Sequence, residues 1–264
     1  MITFAAFTPH SPLLLESIGK ENSSKLRLTR DALHKLSEEL YASQPDVILL
    51  IGTQRHAYPD AFSTNLHEIY SANFSEFGDL STHDTYPSDV ELVSEIQNEM
   101  FKQTIPFCLD SESSLDYGTG IPLTLLLRSK KNIPLVPISY CDLSPKTHIQ
   151  FGRALKEVCL ASKKRIAVLV AGDLAHTLTS DAPAGFHESG QHFDEAILES
   201  INPVSTAKLL TLDPEMVKEA KQSAYKSLLI LFGMIERMHT KTEILSYEHP
   251  FGVGELVVQF HLTG

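Results

Sequence analysis

Residues 166–176 read Ile-Ala-Val-Leu-Val-Ala-Gly-Asp-Leu-Ala-His, six apolar residues that run straight into a glycine, a carboxylate and an imidazole. An unbroken apolar run of that length is what a strand covered on both faces looks like, so Ile166–Ala171 is expected near the centre of a sheet. Runs of the same kind stand at Ile2–Phe7, Asp46–Ile51 and Ile133–Tyr140, with a shorter one at Pro106–Leu109. Between them Leu26, Thr29, Leu33, Leu36 and Leu40 step by three and four residues, which predicts an amphipathic helix with Ser23 or Ser24 as its cap. Asp89–Gln103, Ile121–Lys130 and Thr147–Ala161 also read as helices. After Asp213-Pro214 the spacing of Val217, Ala220, Ala224, Leu228, Leu231, Ile235 and Met238 predicts one long, half-buried helix. Glu243–Tyr247 and Leu256–His261, around Phe251-Gly252-Val253-Gly254, predict an antiparallel hairpin at the sheet edge. Strand and helix alternating in this way predict a single α/β domain over residues 1–264, its mostly parallel central sheet covered by helices on both faces.

Composition narrows the function classes. With 264 residues, 42% of them hydrophobic, the chain can bury a large core, and no repeat, low-complexity tract or linker divides it. No run approaches the roughly 18 to 20 apolar residues of a membrane helix, and no basic region precedes the apolar start, so a soluble, cytoplasmic protein with no membrane partner is expected. Cys108, Cys141 and Cys159 lack CxxC spacing and suit reduced core thiols. A formal charge of −11 argues against a nucleic-acid partner, which needs a concentrated basic surface. Twelve histidines are a surplus for a chain of this size and point to acid–base or metal chemistry.

The long irregular stretches 52–88, 110–119 and 172–192 follow strands, where open α/β sheets place their ligands. His10 sits in Thr8-Pro9-His10-Ser11-Pro12, stiffened by flanking prolines; it reads as a ligand or as a hydrogen-bonded loop residue. Gln54, Arg55 and His56 leave the second strand together. His176 fits a general acid or base, with Asp173 orienting it or capping a helix. The glycine-containing stretch Leu115–Leu123 opens a helix whose N–H groups could receive an anion. GxGxxG, GxxxxGK[ST] and GxSxG runs are missing, which disfavours a Rossmann site, a Walker loop and a serine hydrolase elbow.

Taken together, PHSPLLL, PDVILLIGTQRHAYPDAFS, FGD, LDYGTGIPL, VPISY, AGDLAH, HFDEAI and SAYKSLLILFGM resemble the class III extradiol ring-cleavage dioxygenase (LigB-type) superfamily, most of all its branch of Memo-like and AmmeMemoRadiSam system proteins. The resemblance implies a non-haem Fe(II) site of two histidines and a carboxylate that binds a catechol-like substrate and O2 together. It implies His10 as the first metal ligand and His176 as the acid/base beside the substrate. Other positions depart from the pattern. Gln54 stands where the family writes a histidine, with His56 two residues later. Tyr117 replaces the histidine of an LDHG motif, and Gln222 stands where a glutamate ligand is common. Glutamine can ligate through its carbonyl oxygen but brings no charge, so such a set would hold Fe(II) weakly unless His56 substitutes.

The leading expectation is therefore an extradiol dioxygenase, ring-cleaving if His10, His56 and a group such as Gln222 hold the iron. The alternative is a Memo-like accessory or binding protein with a degenerate metal site. A zinc-type hydrolase using Asp173 and His176 ranks last, since no HExxH spacing is present. A homo-oligomer is expected from the exposed edge of the C-terminal hairpin.

Overall fold

The computed structural model describes residues 1–53, 58–127 and 132–263. Its strands are β1 (Ile2–Thr8), β2 (Val47–Gly52), β3 (Phe62–Asn65), β4 (Ile69–Phe74), β5 (Asp79–Pro87), β6 (Phe107–Asp110), β7 (Leu135–Ser139), β8 (Ile166–Ala171), β9 (His239–Glu248) and β10 (Glu255–Thr263). Eight of them form one sheet in the order β6-β3-β7-β2-β8-β1-β10-β9. Strands β7, β2, β8 and β1 run parallel, β6 and β3 run parallel to each other, and β3, β10 and β9 join antiparallel neighbours. The expected mostly parallel sheet with a C-terminal antiparallel pair is thus present, and Ile166–Ala171 lies between β2 and β1.

The helices are α1 (Glu16–Gly19), α2 (Arg27–Ser43), α3 (Val90–Lys102), α4 (Tyr117–Leu126), α5 (Pro145–Ala161), α6 (Glu188–Ile201), α7 (Thr206–Leu210), α8 (Pro214–Glu219) and α9 (Ala224–Ile235). Because side chains alternate along a strand, β2 and β8 feed two cores at once. Val47, Leu49, Ile51, Val168 and Val170 pack with Ile149 and Leu155 of α5 and with α9, which is buried along its length except at Lys226. Ile48, Leu50, Ala167 and Leu169 face the opposite way, onto Leu33, Leu36 and Leu40 of α2 and Ile121 and Leu123 of α4. Helices on both sides explain why these strands read as continuous apolar runs.

Several local expectations change. Neither Ser23 nor Ser24 caps α2: both sit in a 3-10 turn, Lys20–Leu26, where each hydroxyl bonds a carbonyl three residues back. Glu248 of β9 instead accepts the Thr29 N–H at 2.7 Å, a cap supplied from across the fold. The stretch 52–88 carries β3 and the β4-β5 hairpin, whose mixed polar and apolar residues hid the alternation. Helices α6 and α7 were not foreseen. Helix α4 opens earlier than expected, at Tyr117, with Asp116 accepting the Thr119 N–H at 2.9 Å. The single long helix after Pro214 is two, α8 and α9, parted at Ala220–Ser223 where Lys221 takes a positive φ of 54°.

Candidate functional site

That break in the last helix is built into the site. The Ser223 and Ala224 N–H groups, free at the start of α9, donate to the Asp173 carbonyl at 3.1 and 3.2 Å. The Ser223 hydroxyl accepts the Asp173 N–H at 2.9 Å. The strand end of β8 is therefore held by a helix N-terminus, and Asp173 is no helix cap.

His10 leaves β1 beside it and is 3% exposed. Its backbone N–H donates to Asp173 Oδ1 at 2.9 Å, and its Nε2 stands 3.4 Å from Asp173 Oδ2 and 3.4 Å from Ser223 Oγ. His176 brings its own Nε2 to 3.6 Å from the same Asp173 oxygen, longer than a hydrogen bond. One carboxylate thus lies between two imidazoles. Burial pushes the Asp173 carboxyl upward, but the facing His10, together with His176 and the His10 N–H, outweighs it and holds the group below the ordinary carboxylate value.

The opening helix α4 closes the other side. Gly118 lies so close to His10 that a Cβ there would stand 3.2 Å from its Nδ1 and collide with the Thr53 hydroxyl, so only glycine lets the helix start approach this near. Tyr117 meets the His10 ring edge-on at 5.6 Å and Phe77 at 5.2 Å, and it is partly exposed, forming an aromatic wall. Burial, then the Asp173 charge, raises its phenol. Tyr140, following β7, donates to the Ser223 carbonyl at 3.3 Å. His10 Nδ1 and His176 Nε2 are both buried without a hydrogen-bond partner.

The structure therefore brings His10, Tyr117, Asp173 and His176 together. It does not free Gln222 for ligation: its Oε1 accepts the Tyr225 N–H at 2.7 Å in the first turn of α9, and its Nε2 reaches the Val217 carbonyl at 3.5 Å. Gln54 and His56, like Arg55, lie outside the described residues. Among the described residues no three His, Cys, Asp or Glu side chains are placed to hold a metal ion. Among the described residues, therefore, no two-histidine, one-carboxylate set of the kind that holds a non-haem iron is assembled. Ser223 and Tyr140 were missed from the sequence, Tyr140 because it ends the apolar run Ile133–Tyr140 and Ser223 because it lies inside the helical spacing Val217–Met238. A cavity of about 790 Å3 between α2 and the end of α4, floored by Leu33, Leu40, Leu126 and Ile133, contains none of these groups.

Three comparisons bear on this arrangement. The family model described as the catalytic LigB subunit of aromatic ring-opening dioxygenase matches residues 4–258. The chain is 26% identical over 278 residues to the 2-aminophenol 1,6-dioxygenase alpha subunit of Pseudomonas sp, covering 99% of each. It is 24% identical over 255 residues to Protein CA_C1420 of Clostridium acetobutylicum, covering 93% of this chain and 54% of that one, so it spans about half the length of that relative. The crystal structure of the uncharacterized protein JW3007 from Escherichia coli K12 superposes with a TM-score of 0.70 at 20% identity, over 97% of this chain and 99% of the other, a likeness of fold.

Proposed function

This chain belongs to the LigB family of aromatic ring-opening dioxygenase subunits, and on that premise we propose that it is a ring-binding subunit without an iron centre of its own. The observation that carries the reading is Gln222: at the position where the family commonly has a glutamate ligand, the side chain is neutral and accepts the Tyr225 N–H. What remains is a pocket for a small aromatic compound bearing a hydroxyl or amino group. Tyr117 supplies a wall for the ring, and His176 Nε2, buried but unpartnered, is the group that would bond the substituent. Asp173 faces both imidazoles. The Pseudomonas relative is by name one subunit of a dioxygenase, which supports an accessory role beside a second chain, of this or another kind. The Memo-like reading of the sequence is of this class.

One observation favours ring cleavage by this chain itself. Two buried imidazole nitrogens without partners are what a bound metal would satisfy, with His56 as a further ligand. When bound, Fe(II) would supply the open positions at which a catecholate and O2 meet.

One experiment separates the two. The protein is purified anaerobically, offered Fe(II), analysed for bound metal, and titrated with catechol and 2-aminophenol by calorimetry. The ring-binding reading expects no iron above background, measurable aromatic binding, and loss of that binding in His176→Ala. Near-stoichiometric iron with O2 consumption on catechol, both lost in His10→Ala and His56→Ala, would overturn it in favour of a dioxygenase.

A further inference from the structure

Strand β9 closes one side of the sheet. Among the described residues it pairs only with β10, so its outer edge runs free over His239–Glu248. The opposite edge is β6, only four residues long. A short edge is one way a fold avoids adding strands, and a ten-residue edge lacks that protection. In its first half the strand is regular: His239 to Ile244 stand opposite Thr263 to Val258 without interruption, and the register slips only at Leu245. The outward N–H and C=O groups of such a stretch are a template for another strand.

Two features of this edge select what it pairs with. The first is charge. Side chains alternate along a strand, so Lys241 and Glu243 share the sheet face that α2 covers. Glu243 is held there, with Oε1 at 2.6 Å from Lys35 Nζ of α2 and Oε2 at 2.9 Å from His261 Nε2 of β10. Lys241 is exposed and forms no ion pair among the described residues. A lone lysine on an edge guards it against pairing. A second copy running antiparallel about a two-fold axis at Thr242 removes that barrier: it sets its Glu243 opposite Lys241 and its Lys241 opposite Glu243, and directly opposed charges of unlike sign stabilise a strand pair.

The second feature is the surface beside the edge. A groove of about 380 Å3 runs between α2 and β9, with Leu28, Ala32, Leu245 and Ser246 in its walls. Leu28 is 55% exposed and Ile244 39%, so apolar side chains border the free strand. A two-fold axis normal to the sheet would place the α2 helices of both copies on one side of the joined sheet, flanking the axis, and would bring each groove against the other copy.

We propose that β9 is the docking edge for a second copy of this chain, the two β9 strands pairing antiparallel about Thr242 so that the eight-stranded sheet continues across the interface. In this register Thr242 faces Thr242 of the second copy, Thr240 faces Ile244, and Lys241 faces Glu243 twice. The contact is isologous and closes after two copies, since neither β9 keeps a free edge. The proposal concerns assembly alone and does not depend on the ring-binding reading.

The test is a pair of charge reversals on the full chain. Lys241→Glu opposes carboxylates across the axis and Glu243→Lys opposes ammonium groups, whereas a chain of one variant against a chain of the other restores both attractive pairs. In analytical ultracentrifugation at micromolar concentration the parent is expected at twice the 29.3 kDa of one chain. Each variant alone should dissociate about tenfold more readily or more, and their equimolar mixture should return to the parent's behaviour. A parent at the single mass throughout, variants that associate as well as the parent, or a mixture no tighter than its components would each overturn the proposal. If a charge reversal fails to fold, judged by circular dichroism, two cysteine variants decide. Thr242→Cys should form a disulfide-linked dimer on mild oxidation, and Thr240→Cys, whose opposite neighbour is Ile244, should not, with the parent as control for its own three cysteines. Cross-linking in both, in neither, or in Thr240→Cys alone refutes the pairing.

Discussion

Asp194 offers a sharp test of how the site is anchored. It projects from α6, is 1% exposed, accepts the Ala175 N–H at 2.8 Å and receives the Tyr247 hydroxyl at 2.7 Å, tying the His176 loop to α6 and β9. Burial is the largest influence on it and raises its carboxyl from 3.8 to about 6, against the opposing hydrogen bonds. A carboxyl raised on folding binds its proton more tightly in the native chain. The associated stability is fully present below pH 3.8 and is lost as pH rises through about 6. At about 1.4 kcal/mol per pH unit, the ionised residue costs the folded state about 3 kcal/mol at neutrality. Asp194→Asn cannot ionise, and its amide oxygen can still accept the Ala175 N–H. Urea unfolding of both proteins at a series of pH values should therefore show the variant gaining on the wild type between about pH 4 and pH 7, by about 2 to 3 kcal/mol in all. A difference that stays flat across that range, or a variant that loses ground as pH rises, would refute the reasoning.

Other expectations follow from single contacts. Phe151 stacks on Phe62 at 3.9 Å with both rings fully buried, so Phe151→Ala should lower stability by about 3 to 5 kcal/mol in urea unfolding. Glu248→Ala removes the acceptor for the Thr29 N–H and should cost about 1 kcal/mol, with hydrogen exchange accelerated in the first turn of α2 rather than throughout. Ser223→Ala leaves the buried Asp173 N–H without its acceptor; a loss of about 1 to 3 kcal/mol is expected, together with weaker aromatic binding measured by calorimetry.

Local pattern carried much of the architecture. The uninterrupted apolar runs at Val47–Ile51 and Ile166–Ala171 are legible because a strand buried on both faces has no polar position to dilute the signal. Phe62–Asn65 and the β4-β5 hairpin were illegible for the opposite reason, since four residues, or a two-stranded ribbon with polar outer positions, carry too little periodicity. His10, Asp173 and His176 could be picked out because they follow strand ends. Their convergence on one carboxylate could not, because β1 and β8 are adjacent only in the folded sheet.

The sequence by itself determined the α/β class, the central place of Ile166–Ala171 and the strand ends that His10 and Asp173 follow, all of which depend on short-range alternation and on which residues end a strand. Only the tertiary structure decided that the last helix breaks at Ala220–Ser223 to hold the Asp173 backbone and that Gln222 serves α9. These depend on partners far away along the chain, and the helical spacing of Val217 to Met238 is the same whether or not a strand end from elsewhere takes up the freed N–H groups.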